Sequence, residues 1–255
     1  MLPSTPKAVL IDLAGVLHVG EAAIPGAVPA LAALRHSGLA LRFITNTTRT
    51  PRATIIARLA ALGLDIGEDE LFTAPLAARD YVRARGLAPH WLIHPDIAAE
   101  MGPSAATPTA VVMGDAGPYF TFDALNTAFR HLMDGLPLIV MARNRYFREA
   151  DGFTLDMGAY VTGLEFSAGV TATVVGKPAA AFFETVLADL GVAPQDAVMI
   201  GDDISDDIGG AQAAGIAGML VRTGKFRPHD AHHASVMPAA IEDDFAACVA
   251  RLTGH

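Results

Sequence analysis

Short apolar runs recur along this chain, separated by stretches in which apolar residues return every three or four positions. Ala8-Val9-Leu10-Ile11 is the first such run, ending on Asp12, and Leu39–Ile44 is the second. Between them, residues 27–36 carry helical spacing and stop before Gly38. Thr50 followed by Pro51 predicts a helix start, with an N-cap hydroxyl and a proline at the first helical position. Ile55, Ile56, Leu59 and Leu62 then repeat at helical intervals until Gly63. A strand over 71–73 and a helix over 75–85 follow. The later pattern predicts strands at 90–94, 110–114, 137–142, 171–175, 197–200 and 219–222, and helices at 122–133, 160–166, 179–190, 205–214 and 241–252. Strands that alternate with helices in this way predict an α/β fold around a largely parallel sheet.

The texture changes between Gly86 and Gly169. An irregular stretch, residues 101–109, and a loop holding Arg143, Asn144, Arg145 and Tyr146 interrupt the alternation, as expected of an inserted α/β module. The expected division is a core over 1–82, an insert over 83–170 and a second core part over 171–255.

Composition narrows the partners. The 255 residues are 52% hydrophobic and 18% charged, a globular balance with no apolar run near the roughly 18 residues that span a bilayer. Eighteen basic against 27 acidic side chains give a net charge of −9, which argues against nucleic acid, whose phosphates must be neutralised by Lys and Arg. One cysteine, Cys248, cannot form an intrachain disulfide, and the first residues lack the pattern of a signal peptide, so a cytoplasmic location is the expectation.

Four clusters carry candidate chemistry. Asp12 stands at the end of the first strand, before the turn Leu13-Ala14-Gly15. Thr45-Asn46-Thr47-Thr48 ends the second strand, and its hydroxyls and backbone N–H groups suit a phosphate. Gly176-Lys177-Pro178 opens a helix, pairing a cation with a helix N-terminus. Gly201-Asp202-Asp203-Ile204-Ser205-Asp206-Asp207 ends another strand with four carboxylates in six residues. Taken singly, the first three read as turn formers, caps or surface lysines. The acidic run is different, because carboxylates that close repel one another unless a cation or hydrogen bonds compensate.

Together and in this order, the four clusters resemble the motifs of the haloacid dehalogenase (HAD) superfamily. The insert is similar to that superfamily's type C2 cap. Residues 174–178, 198–203 and 221–228 resemble its type IIA branch. The resemblance implies a Rossmann-like, doubly wound parallel-sheet core with an inserted α/β cap, and a phosphatase that works through an aspartyl-phosphate. By motif, Asp12 and Lys177 are the implied catalytic residues. Asp12, Leu13, Ala14, Thr45, Asn46 and Lys177 would hold the phosphate. Mg²⁺ would be held by Asp12, the carbonyl of Ala14 and Asp202, with Asp207 and Asp203 supporting.

Position 14 departs from the pattern. Most of the superfamily carries a second aspartate there, which protonates the leaving group and activates water. Ala14 can do neither, and losing such help typically costs ~10²–10⁴-fold. The restriction points to activated phosphates: phosphoramidate, pyrophosphate or aryl phosphate. A phosphate-binding regulatory protein with little turnover is the rival reading. The expected partner is a small-molecule phosphate or a phosphorylated side chain, with neither nucleic acid nor membrane. Asp115, Arg143, Asn144, Arg145, Tyr146 and Glu165 read first as solvated loop or helix faces and second as candidate specificity residues, and the resemblance implies a homodimer through the cap.

Overall fold

A computed structural model of the protein describes residues 1–149 and 152–254. It divides into two compact units, Met1–Thr45 with Arg52–Phe72 and Lys177–His255, and Asn46–Pro51 with Thr73–Gly176.

The first unit is built on a six-stranded sheet. Its strand order is Ala240–Glu242, Ala217–Val221, Ala197–Gly201, Ala8–Asp12, Ala40–Thr45, Leu71–Thr73. Strand Ala8–Asp12 pairs in parallel with Ala197–Gly201 on one side and Ala40–Thr45 on the other. All five of its residues are buried, the signature of a strand covered on both faces. Alternate side chains therefore feed opposite layers. Val9 and Ile11 join Phe43, Val198, Ile200 and Met219 in a core with Leu31 and Leu34 of helix Ala27–His36 and Phe245, Cys248 and Val249 of helix Phe245–Thr253. From Asp12 the chain proceeds to the strand on one side, while Ala197–Gly201 lies on the other. The strand order thus reverses at Ala8–Asp12, and in such sheets ligands bind at the carboxyl ends beside the reversal.

The second unit has its own four-stranded sheet, ordered Thr173–Val174, Leu138–Val140, Ala110–Met113, Pro89–Leu92, with parallel pairing throughout. Helices Phe122–Met133 and Gly158–Ala168 bury Ala128, Leu132, Val161 and Leu164 in one cluster with Val111, Met113 and Val140.

Helix Ala74–Ala84 groups with the second unit, packing Ala74, Ala78 and Val82 with Ala110, Val112 and Ile139 of its sheet. Three sequence expectations are corrected. The strand expected at 171–175 is short and pairs with Leu138–Val140, so it belongs to this sheet and not to the six-stranded one. The helix expected over 241–252 is two elements. Ala240–Glu242 is an edge strand beside Met219–Val221, and the helix starts only after Asp244, whose carboxylate accepts from the Ala247 N–H as an N-cap. The loop expected near 143–146 continues into a hairpin, Tyr146–Glu149 with Gly152–Leu155.

Candidate active site

Asp12, Lys177, Asp202 and Asp207 converge in the first unit. Parallel strands bring their ends to one edge, so Asp12 and Gly201-Asp202 terminate neighbouring strands. Asp207 is delivered by the π-type turn Ile204–Gly209, which the sequence pattern had suggested as ordinary helix. Asp203 caps that turn, its Oδ1 accepting from the N–H groups of Ser205 and Asp206 at 3.0 Å each. Oxygens of Asp12, Asp202 and Asp207 lie within 4.8 Å of one another.

Lys177 is the counter-ion. Its Nζ donates to Asp12 Oδ1 at 2.5 Å and to Asp207 Oδ1 at 2.7 Å, and all three side chains are buried. Burial opposes the ammonium charge, but Asp12 and Asp207 more than offset it and hold the lysine above its ordinary range. Asp207 uses both oxygens: Oδ2 accepts from the backbone N–H of Asp202 and Asp203 at 3.2 and 3.1 Å. It orients Lys177 and the turn.

Three carboxylates against one ammonium leave a formal surplus of two negative charges. The carboxyl of Asp202 registers this. Burial, then Asp12 and Asp207, push it up to about 8. Burial, resisted by Lys177 and assisted by Asp12, pushes Asp207 up to about 6. Asp206, by burial and the nearby Asp203, rises to about 7, whereas Asp203 is lowered: its burial is outweighed by Lys225 and the two N–H groups it caps. A divalent cation between Asp12 and Asp202 would cancel the surplus, so the residues fit such an ion.

The remaining site candidates separate. Thr45 is buried at the end of the strand beside Asp12, one residue beyond the Asp12–Ile44 register pair. Asn46 follows it in the chain and groups with the second unit. The Leu13 side chain lies in the core, so only its backbone could face a phosphate. Ala14 is exposed and bridges to His18.

Within the second unit, Asp115 is tied down by Arg49, whose Nε and Nη2 reach its two oxygens at 2.5 and 3.1 Å. The Asp115 N–H donates to Thr48 Oγ1 at 3.1 Å, and Oδ1 also accepts from Gly117 N at 2.9 Å. Glu165 is likewise engaged, by Arg143 at 2.6 Å and the Ala172 N–H at 2.9 Å. Arg145 and Tyr146 line an open cavity of about 830 Å³ with Thr154, Leu155 and Thr162. The Asn144 carbonyl accepts from Gly158 N at 2.9 Å.

Sequence reasoning gave no role to Thr223-Gly224-Lys225. Thr223 Oγ1 donates to the Gly15 carbonyl, Lys225 N donates to Asp202 Oδ2 at 2.7 Å, and Lys225 Nζ reaches Asp203 Oδ2 at 3.1 Å. The available signal was a scarce lysine just beyond a strand.

Residues 9–101 match the family model described as haloacid dehalogenase-like hydrolase, and residues 174–248 match a HAD-hydrolase-like model. Human haloacid dehalogenase-like hydrolase domain-containing protein 2 is 43% identical over 250 residues, covering 98% of this chain and 96% of the relative. Phospholysine phosphohistidine inorganic pyrophosphate phosphatase of Danio rerio is also 43% identical, over 251 residues, covering 95% of this chain and 93% of that one. Among solved structures, 4-nitrophenylphosphatase from Thermotoga maritima superposes with a TM-score of 0.90 at 21% identity, covering 97% of each chain, and so shares the fold. The p-nitrophenyl phosphatase from Archaeoglobus fulgidus gives 0.89 at 24% identity, covering 97% of this chain and all of that one. With near-complete coverage at this identity, the chain belongs to the haloacid dehalogenase-like hydrolase family.

Proposed function

We propose that this protein is a Mg²⁺-dependent phosphatase that passes the phosphoryl group through Asp12 and acts on activated phosphates. The observation that carries the reading is the buried Asp12–Lys177–Asp207 ion cluster beside Asp202, at the sheet edge where the strand order reverses. The names of the relatives support it, since they include a pyrophosphate phosphatase and two nitrophenyl phosphatases.

Asp12 and Asp202, with the Ala14 carbonyl, would hold the Mg²⁺. When bound, that ion neutralises charge on the phosphoryl oxygens. A carboxylate oxygen of Asp12 attacks phosphorus, the bond from phosphorus to the leaving group breaks, and its electron pair departs with that group. Water then attacks the phosphorus of the aspartyl-phosphate, and phosphate leaves with Asp12 regenerated as carboxylate. Lys177, fixed between Asp12 and Asp207, faces the incoming charge. Thr45 and Asn46 are assigned to the phosphoryl oxygens. For such transfers, positioning and charge neutralisation supply most of the acceleration.

Because Ala14 cannot protonate a leaving group, substrates whose leaving groups depart unaided are favoured. Turnover of imidodiphosphate, pyrophosphate and an aryl phosphate, with Asp12→Asn as the blank, tests the reading. Mg²⁺-dependent release by wild type alone supports it; equal release by Asp12→Asn, or none from any of the three, sinks it. Phosphate binding by calorimetry without any turnover would favour the regulatory rival.

A homodimer through the second unit is also part of this reading. Helices Phe122–Met133 and Gly158–Ala168 leave Phe122 and Phe166 79% and 88% exposed, an apolar pair that suits a second copy. Light scattering of wild type against Phe122→Ser with Phe166→Ser reads the outcome.

A further inference from the structure

We propose that Thr223-Gly224-Lys225 is a positioning strap that fixes Asp202 as a single-oxygen ligand, with Thr223 acting through Gly15 and Lys225 through its backbone N–H. The inference rests on the reading of Asp202 as a metal ligand and assigns residues which that reading does not include.

The strap closes on Asp202 from two sides. Gly15, in the turn after Asp12, and Gly224 both hold positive φ, +88° and +61°. A Cβ on either would overlap the Asp202 carboxylate, and one on Gly15 would also lie 3.0 Å from Gly224 Cα. The carboxylate is therefore clasped between two bare backbone segments, which approach that closely only because neither carries a side chain. Into this clasp the Lys225 N–H donates to Oδ2 at 2.7 Å. The Thr223 hydroxyl donates to the Gly15 carbonyl, joining the two segments across 208 residues of sequence.

Committing Oδ2 to the strap sets the rotamer of Asp202 and leaves Oδ1 as the oxygen it can offer to the cluster with Asp12 and Asp207. Without the strap, the carboxylate could rotate, and the surrounding negative charge would favour rotation away from its neighbours. The Lys225 side chain strengthens the clasp from outside, through Asp203 at 3.1 Å, while remaining largely exposed. Groups that orient a metal ligand in this way typically change metal affinity by roughly 10–100-fold when removed.

The test uses the full chain and Mn²⁺ as the probe, read by calorimetry and by the electron paramagnetic resonance of free Mn²⁺. Thr223→Val keeps the side-chain shape and removes the hydroxyl. Its Mn²⁺ affinity is expected to fall roughly 10-fold or more, with Thr223→Ser restoring it. An amide-to-ester replacement that removes only the residue 225 N–H should weaken binding in the same direction, and serves if Thr223→Val does not fold. Wild-type affinity in both Thr223→Val and the ester variant overturns the strap while leaving the metal reading intact. Wild type that fails to bind Mn²⁺, or that binds it as well after Asp202→Asn, overturns the metal reading and the strap with it.

Discussion

Replacing Lys177 with methionine isolates what the buried ammonium does, because the side chain keeps nearly its length and loses its charge. Lys177 lies 2.5 and 2.7 Å from Asp12 and Asp207. Its removal leaves three carboxylates whose oxygens fall within 4.8 Å. At that separation, and with an effective dielectric of about 20, each pair of ionised carboxylates repels by about 3.5 kcal/mol. The native state escapes part of this by taking up protons, so the penalty depends on pH. Asp202 and Asp207, already pushed up to about 8 and about 6, move higher still in the variant. A carboxyl whose native pKa exceeds its unfolded value makes the native state bind more protons, and stability falls as pH rises between the two values. The lysine of the wild type is charged throughout this window, since its native value is raised and its unfolded value is already alkaline. The predicted loss for Lys177→Met is therefore about 3–5 kcal/mol near pH 8, the usual cost of breaking a buried pair, and much less near pH 5. At roughly 2–4 °C per kcal/mol for a chain of this size, the melting temperature should drop by about 6–20 °C at the higher pH. Melts of both proteins in chelator at pH 5 and pH 8 read this directly. An equal loss at both pH values, or a greater one at pH 5, would refute the reasoning.

Further outcomes follow from the same geometry. Ala14→Asp should raise kcat/KM, which reports the first phosphoryl transfer, by up to ~10²–10⁴-fold on alkyl phosphates and much less on aryl phosphate, because it restores an acid where leaving groups need one and Ala14 is exposed enough to admit it. Equal gains on both substrate classes would count against the role assigned to position 14. Metal-free wild type should melt lower at pH 8.5 than at pH 6, since Asp202 must ionise in that interval, and Mg²⁺ should narrow the gap. A gap that Mg²⁺ leaves unchanged would place the ion elsewhere. Asp115→Leu should destabilise the protein by about 1–3 kcal/mol, because it takes the carboxylate from Arg49 and the acceptor from the Gly117 N–H. Denaturant unfolding checks this, and a neutral result would mean that the pair has no structural role.

What the sequence disclosed was what strand ends and local order determine. Asp12, Lys177 and the Asp202–Asp207 run could be read because parallel strands necessarily bring their carboxyl ends to one edge. Longer-range pairing was out of reach. Thr173-Val174 looked like any β-branched strand, and only its partner Leu138–Val140 decides which sheet it joins. Ala240–Glu242 merged with the following helix because three residues are too few to separate a period of two from one of 3.6. Asp115 read as a solvated loop carboxylate or a candidate specificity residue, whereas its partner Arg49 lies 66 residues away. The strap over Asp202 was hidden for the same reason. Nothing local to Thr223 announces a bond to Gly15.

Asp12 as the phosphoryl acceptor is the step most directly open to measurement. Acid quenching during turnover of pyrophosphate or an aryl phosphate, followed by proteolysis and mass spectrometry, locates any acid-stable phosphoryl group. The prediction is one phosphoryl mass on the peptide containing Asp12, trapped only with Mg²⁺ and absent from Asp12→Asn. With Ala14 slowing water's attack on the acyl phosphate, the intermediate should accumulate, and Ala14→Asp should reduce it. Turnover with no label at Asp12 under any quench condition, or label that persists in Asp12→Asn, would contradict it.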